Sequence, residues 1–316
     1  MSMNIPVHFV QSYSTNVMML LQAQGGKLRP YVTLGSYVGQ AASPVEQIGQ
    51  VAATRITERD GDTHYTSPDE SRRWVFPVDY DIAQLISRQD RLRLLIDPTS
   101  AYTQNTVLAL RRAEDQEILN AFYANALTGV NYGTNTQYNP NGVTTASPPG
   151  YQVAVGFGAV GSVGMTVAKL KEARRSLRRS HVDLESARVC CAITSSEESQ
   201  LLAEIQVVHA DYNGGKPVLD DGKLTRYLGI DFVHMEFADA AAYPYAAANM
   251  QSTDGTINYC PLWVENGMHL GTWNDVETSV DVLPTKRYAT QVYGKATIGA
   301  TRIEEPRVIQ VACLHL

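Results

Sequence analysis

From Thr99 to Thr128 the chain runs without a single glycine or proline. Ahead of that run Asp97 is placed as an N-cap and Pro98 at the first helical position, where its missing N–H costs nothing. Gly129 supplies the stop. The pattern predicts one helix over 97–127, about 30 residues and roughly 45 Å long, well above the usual globular length. Its middle, "RRAEDQE", sets Arg111, Arg112, Glu114, Asp115 and Glu117 around every face. No wide apolar stripe crosses it. Two readings stay open: a solvated surface helix, or a spine lying along neighbouring subunits.

The segment before it has the opposite problem. Two strand-like pieces, "QVAATRIT" (50–57) and "RRWVFPV" (72–78), flank a joint rich in Asp, Gly, Ser and Pro, which is turn chemistry. Together they read as a long hairpin. It carries Arg55, Glu58, Arg59, Asp60, Asp62, Glu70, Arg72 and Arg73, with Trp74 among few large apolar groups. A two-stranded ribbon is marginal in water by itself. This one must lie against something.

Elsewhere the order of elements is plain. An amphipathic helix over 9–24 is stopped by Gly25-Gly26, and an extended arm runs on to about Pro44. After the long helix, 130–164 reads as a loop rich in Asn, Gly, Thr and Pro. Then come a helix over 165–179, the strand "RVCCAIT", a short helix "SEESQLLAEI", a turn-rich passage and the strand "GIDFVHMEF". Over 288–302 the even positions Val292, Ala296, Ile298 and Ala300 are apolar and Gln291, Lys295, Thr297 and Thr301 polar, a strand with one buried face. Glu304-Glu305-Pro306 turns the chain, and "RVIQVACL" is expected to pair back on that strand antiparallel.

Composition narrows function by exclusion. With 44% apolar and 18% charged residues the chain is a folder. A net charge of −6 argues against a dedicated nucleic-acid binder. The longest apolar stretch near the N-terminus, "VMMLL", is far too short to span a bilayer, so no membrane partner is expected. Cys190, Cys191, Cys260 and Cys313 form no C-x-x-C pair, and they read as reduced core residues of a cytoplasmically made protein.

The motifs of catalysis and ligand binding fare poorly. Gly156, Gly158 and Gly161 spell G-x-G-x-x-G after an apolar "VAV", so an NAD-dependent oxidoreductase using loop 156–161 is a rival reading. Against it stand a short preceding strand, a fourth glycine at Gly164, and no acidic residue ending the next strand. "NGGKP" at Lys216 lacks the glycine and Ser/Thr of a phosphate loop, and "LDDGKL" lacks the ligand spacing of a calcium loop. The seven histidines include no i,i+3 or i,i+4 pair. His209 and Asp211 could serve a nucleophile, yet no G-x-S-x-G elbow holds one. No catalytic, metal-binding or cofactor-binding residue is expected. The one dense basic run, "KLKEARRSLRR", holds Lys169, Lys171, Arg174, Arg175, Arg178 and Arg179. It is either a solvated helix face or a contact with a neighbour's acids or packaged nucleic acid through unspecific phosphate contacts.

The order of parts carries more than any motif. "VEQIGQVAATRITERDGDTHYTSPDESRRWVFPVDYD" resembles the extended loop of the major capsid proteins of tailed bacteriophages, the Hong Kong 97 phage fold. "DPTSAYTQNTVLALRRAEDQEILNAFYANALTG" resembles their spine helix, "DGKLTRYLGIDFVHMEF" an apical-domain segment, and "DVLPTKRYATQVYGKATIGATRIEEPRVIQVACL" the returning strands of the peripheral domain. The resemblance implies an α+β fold with an N-terminal arm (1–45), an extended loop (46–80), a peripheral domain with the spine helix (81–180), an apical domain (181–272) and peripheral return strands (273–316). It implies a non-enzymatic shell subunit forming homo-hexamers and homo-pentamers of an icosahedral head around double-stranded DNA. The site is a virion assembled in a bacterial host's cytoplasm. A portal, a separate scaffolding protein and a cementing or decoration protein are the implied partners. An encapsulin-like nanocompartment shell is the alternative within the same fold. Arg55, Glu58, Arg59, Asp62, Arg72, Arg73, Trp74, Arg111, Arg112, Glu114, Asp115 and Glu117 are the candidate subunit contacts. Some relatives lock their shells with an isopeptide bond from an extended-loop lysine. No lysine occurs here between Lys27 and Lys169, so a noncovalent shell is expected. Without a long charged helical prefix, a fused scaffold is not expected either.

Overall fold

The computed structural model describes residues 22–56, 62–63, 65–87, 99–129, 132–138, 151–159, 161–208, 219–220, 223–237, 239, 241–243 and 250–315. The body of the predicted helix over 9–24, the ribbon's Glu58, Arg59 and Asp60, the cap Asp97-Pro98, His209 with Asp211, and Lys216 lie outside them.

Strands β1 (Thr33–Ser36), β2 (Ala42–Ile48), β3 (Glu70–Val75) and β4 (Val78–Ile86) precede the long helix α1 (Thr99–Tyr123). Next come β5 (Ala126–Thr128), β6 (Thr134–Thr136), β7 (Gln152–Val153), helix α2 (Val167–Arg179), β8 (Val189–Ile193) and helices α3 (Ser195–Leu202) and α4 (Ile205–Val208). The chain continues through β9 (Leu219–Asp220), β10 (Lys223–Leu224), β11 (Arg226–Tyr227), β12 (Ile230–His234) and β13 (Ile257–Val264). It closes with β14 (Met268–Leu283), β15 (Ala289–Arg302) and β16 (Val308–Leu314).

One sheet has the order β1-β14-β15-β4 and carries α1 on one face. The alternation read in β15 holds over 290–298: Thr290, Val292, Ala296 and Ile298 are buried, while Gln291, Tyr293, Lys295 and Thr297 are not. It fails beyond, where Ala300 is half-buried and Thr301 buried. Gly294 lies on the inward phase because a Cβ there would run into Thr106 and Leu110 of α1. The helix therefore sits on the sheet at close range.

α1 corrects two expectations. It ends at Tyr123, not Leu127, because residues 126–128 extend to pair with β3 (Trp74 opposite Leu127). Nor is its charged middle solvated. Glu114, Asp115 and Gln116 are buried.

A second sheet of six strands, order β11-β12-β8-β13-β16-β7, forms the main core with α2 against it. All five residues of β8 are buried. Such a strand, covered on both faces, reads as a continuous apolar run. The same property explains a third correction: β16 does not pair with β15. Val308–Leu314 is buried almost throughout and lies antiparallel to β13 (Cys260 opposite Val311) and parallel to β7. Both edges of β15 are already taken by β14 and β4. The four cysteines are free and buried in this core. Strand β14 spans residues 272 and 273, with a register shift against β15 between Thr272 and Asn274, and 308–314 returns to the sheet of β8 and β12.

The ribbon is built otherwise than its sequence suggests. Its paired portion is β2 with β3, Ile48 opposite Glu70 and Ala42 opposite Val75. Residues 50–56, expected as a strand, form none. At its base β5 and β6 extend the ribbon into a four-stranded sheet, order β2-β3-β5-β6, with β5 on Arg73 and Trp74 of β3, which supports a ribbon that would be weak with two strands alone.

Candidate assembly surfaces

The arm crosses the spine helix at Gly25, where an added Cβ would fall inside the backbone of Arg111 and Arg112. Gly26 N–H donates to the Arg111 carbonyl at 3.2 Å. Next to it the Asp115 carboxylate, 0% exposed, accepts from Leu28 N–H (2.9 Å) and Lys27 N–H (3.2 Å). Burial pushes this carboxyl up to about 6 against the pull of those donors. Glu114 accepts from Arg29 (3.0 Å) and Arg111 (2.6 Å), and both guanidiniums reach on to Asp275 of β14. Arg112 donates to Gln22 Oε1 and the Ala23 carbonyl, each at 2.9 Å. Glu117 accepts from Tyr80 of β4, and burial raises its carboxyl too. The five spine candidates are thus brought together, but their partners are the protomer's own arm and sheet.

The arm is held further along by His269 on β14. Thr33 gives its hydroxyl hydrogen to the Met268 carbonyl (2.9 Å), so its Oγ1 must accept from His269 Nδ1 (3.0 Å). That leaves Nε2 as the acceptor for Tyr37 Oη (2.9 Å). Burial lowers this imidazole to about 4, which keeps it in the neutral form the arrangement uses. Leu28 and Val32 are buried, and Trp263 donates to the Tyr31 carbonyl. The described arm from Gln22 to Ser36 therefore packs on its own subunit, with Thr33–Ser36 extended as a strand along β14.

Arg302, fully buried, organises the ribbon's root. Its Nη1 donates to the carbonyls of Ala121 (3.2 Å), Phe122 (2.6 Å) and Ala124 (2.9 Å), capping the helix end where partial negative charge collects. Arg73 of β3 donates from Nε to the Ile303 carbonyl (2.7 Å) and from Nη2 to Glu305 (2.8 Å). Trp74 donates to the Gly129 carbonyl at 2.7 Å. Arg73 is buried, so it too faces inward and not toward a neighbour. Arg72 pairs across the ribbon with Glu46. Sequence reading missed Arg302, Glu305, Arg29 and Asp275. For Arg302 the signal was there: position 302 continues the inward even phase of β15, and a cation on that phase needs buried acceptors.

Beyond this root the ribbon changes character. Arg55 and Asp62 are exposed, as are Ile56 at 86% and Tyr65 at 94%. Ile48, Val51 and, on the arm's continuation, Val38 are exposed as well. Single exposed apolar residues are ordinary. A run of them on one projecting element is the mark of a surface meant to be covered.

The remaining motifs settle into structure. Helix α2 buries Val167, Leu170, Ala173 and Leu177 and exposes Lys171, Arg175, Arg178 and Arg179. Lys169 is buried, with Nζ donating to the carbonyls of Val163 and Ala312 at 2.7 Å each. Arg174 donates to the Leu228 carbonyl, and Arg175 pairs with Glu172. The glycine loop follows a two-residue strand, and α2 starts only at Val167, with Thr166 as its cap. Two strands, β13 and β16, separate β7 from β8. A nucleotide fold needs the third glycine at the helix start and the two flanking strands side by side, so this loop does not fit one.

The profile of the phage capsid protein family matches residues 5–315. The chain belongs to the phage capsid protein family. Solved capsid structures share its fold at low identity. With the capsid of the cyanophage P-SCSP1u it superposes at TM-score 0.70, 15% identical, over 96% of this chain and 92% of that one. With the head of the Helicobacter pylori bacteriophage KHP40 the TM-score is 0.71 at 11% identity, over 98% and 97%. Cyanophage Pam1 gives 0.68 at 14%, over 99% of each. A comparison with curated proteins gives no match. As a member of this family the chain is a phage capsid protein. Neither the nicotinamide oxidoreductase nor the nanocompartment shell is favoured.

Proposed function

We propose that this capsid protein assembles as homo-hexamers and homo-pentamers into a noncovalent shell around double-stranded DNA, in the host cytoplasm, with a portal and a separate scaffolding protein. The observation that carries the reading is the ribbon: rooted in its own subunit at residues 42–48 and 70–75, it bears exposed Ile48 at the end of that root and exposed Val51, Ile56 and Tyr65 beyond it. Copies of the same chain are the partner that a shell supplies at every such position. Many weak contacts repeated over a lattice make a stable whole without strong single affinities.

Arg55, Glu58, Arg59, Asp62, Arg72 and Trp74 remain the candidates for contact between subunits. Exposed Arg178 and Arg179 of α2 are candidates for unspecific contact with packaged DNA. The net charge of −6 keeps such contact weak overall. A cementing protein fits a shell with no ribbon lysine for a covalent lock. Electron microscopy of the expressed chain tests the reading: closed shells or capsomers support it, and a monodisperse monomer at all concentrations refutes it.

A further inference from the structure

The root of the ribbon is held by few polar bonds, and they converge. The Ile303 carbonyl, in the turn after β15, accepts one hydrogen bond from each ribbon strand: Gln47 Nε2 of β2 at 2.9 Å and Arg73 Nε of β3 at 2.7 Å. Two residues on, the Glu305 carboxylate stands between two arginines. Its Oε2 is 2.8 Å from Arg73 Nη2, and its Oε1 is 3.5 Å from Arg302 Nε, an ion pair without a hydrogen bond. Arg302 in turn grips the C-terminal carbonyls of α1. A continuous polar chain thus runs from the end of the spine helix to both ribbon strands.

That chain is under-satisfied. Arg73 Nη1, Arg302 Nε and Glu305 Oε1 are buried and have no hydrogen-bond partner among the described residues. Native proteins leave few buried polar atoms unpaired, and each instance calls for a reason. Here one carboxylate serves two guanidiniums through separate oxygens, Oε2 toward Arg73 and Oε1 toward Arg302. Its bond to Arg73 fastens β3 together with Arg73 Nε on the Ile303 carbonyl and Trp74 on the Gly129 carbonyl.

We infer that Glu305, with Arg73 and Gln47, is a positioning joint that sets the angle of the ribbon against the body of the subunit, and through that angle the curvature of the shell. This rests on the shell reading above. At this joint one anion ties Arg73 of the ribbon to Arg302 at the end of the spine helix, while the Ile303 carbonyl ties both ribbon strands to the same turn.

The test uses Glu305→Gln, Glu305→Asp and Gln47→Met in the full chain. Hydrogen exchange is followed in β2, β3 and, as a control remote from the joint, α2; shell diameter is measured by electron microscopy. Glu305→Gln is expected to speed exchange in β2 and β3 by about tenfold or more, with α2 unchanged, because local opening reads local bonds. Its shells are expected to spread in diameter, and Glu305→Asp, which keeps the charge, to restore a narrow distribution. Gln47→Met removes a single bond from the ribbon's side and is expected to act in the same direction, more weakly. It answers the question if Glu305→Gln fails to fold. Exchange and diameter both unchanged in folded variants overturn the joint, as does acceleration spread equally over α2. If the unaltered chain makes no shells, the shell reading fails by itself, while the exchange arm still decides the joint.

Discussion

At the residue scale, two buried titratable groups hold the arm with opposite pH dependence. Asp115 has an ordinary value of 3.8 and a folded value of about 6. Its contribution is fully present below about 3.8 and is lost as pH rises through about 6, roughly 3 kcal/mol in all. His269 moves from 6.5 down to about 4. Its contribution is present above 6.5 and is lost as pH falls through about 4. Melting temperatures between pH 7 and pH 4 should therefore gain less on acidification in Asp115→Asn than in the unaltered chain. The loss on the acid side should be smaller in His269→Gln. Identical profiles for all three proteins would remove both assignments. Arg302 is a harsher case. Arg302→Met leaves the carbonyls of Ala121, Phe122 and Ala124 without their donor and the Glu305 charge with Arg73 alone. Breaking a buried pair in this way costs about 3–5 kcal/mol, which denaturant titration would register.

At the scale of elements, the arm and the spine depend on one crossing. Gly25→Ala puts a methyl group where the backbone of Arg111 and Arg112 lies, so the arm must lift. The expected cost is roughly 2 kcal/mol or more, and proteolysis should then cleave between residues 22 and 36 while α1 stays intact. The crossing also shows what a sequence can and cannot reveal. Periodicity placed α2, β8 and β15, because each keeps one simple pattern over most of its length: an apolar stripe, a continuous apolar run, an alternation over 290–298. Gly25-Gly26 was legible as a break but not as a contact, since the reason for it lies 86 residues away at Arg111. The charged middle of α1 was legible as unusual. Its burial was not, because the residues that satisfy it come from Gln22–Arg29, Tyr80 and Asp275, on separate elements. The pairing of β16 escaped for a related reason: local turn signals favour the preceding strand, and occupancy of that strand's edges is a property of the whole sheet. Candidate contacts drawn from charge alone divided accordingly. Arg73, Glu114 and Asp115 proved internal, while Arg55, Asp62 and Arg72 stayed outward.

At the scale of the whole molecule, the described residues form two main sheets with their helices, an arm folded home and a ribbon rooted in its own small sheet but not covered. That asymmetry explains how one chain can be both a stable protomer and an incomplete one. The lack of a ribbon lysine predicts that heated particles run as a single monomer band on a denaturing gel; a ladder of covalent multimers would contradict it. The ribbon gives the most direct test. Ile48 stands opposite Glu70, so Gly49–Asp69 can be replaced by an Asn-Gly turn that closes the hairpin in register. The trimmed chain and the full chain would be compared by sedimentation and electron microscopy at equal concentration. The account predicts a folded trimmed protomer with unchanged α1 and core and no closed shells. Trimmed chains that assemble shells of the same size and stability as the full chain would contradict it.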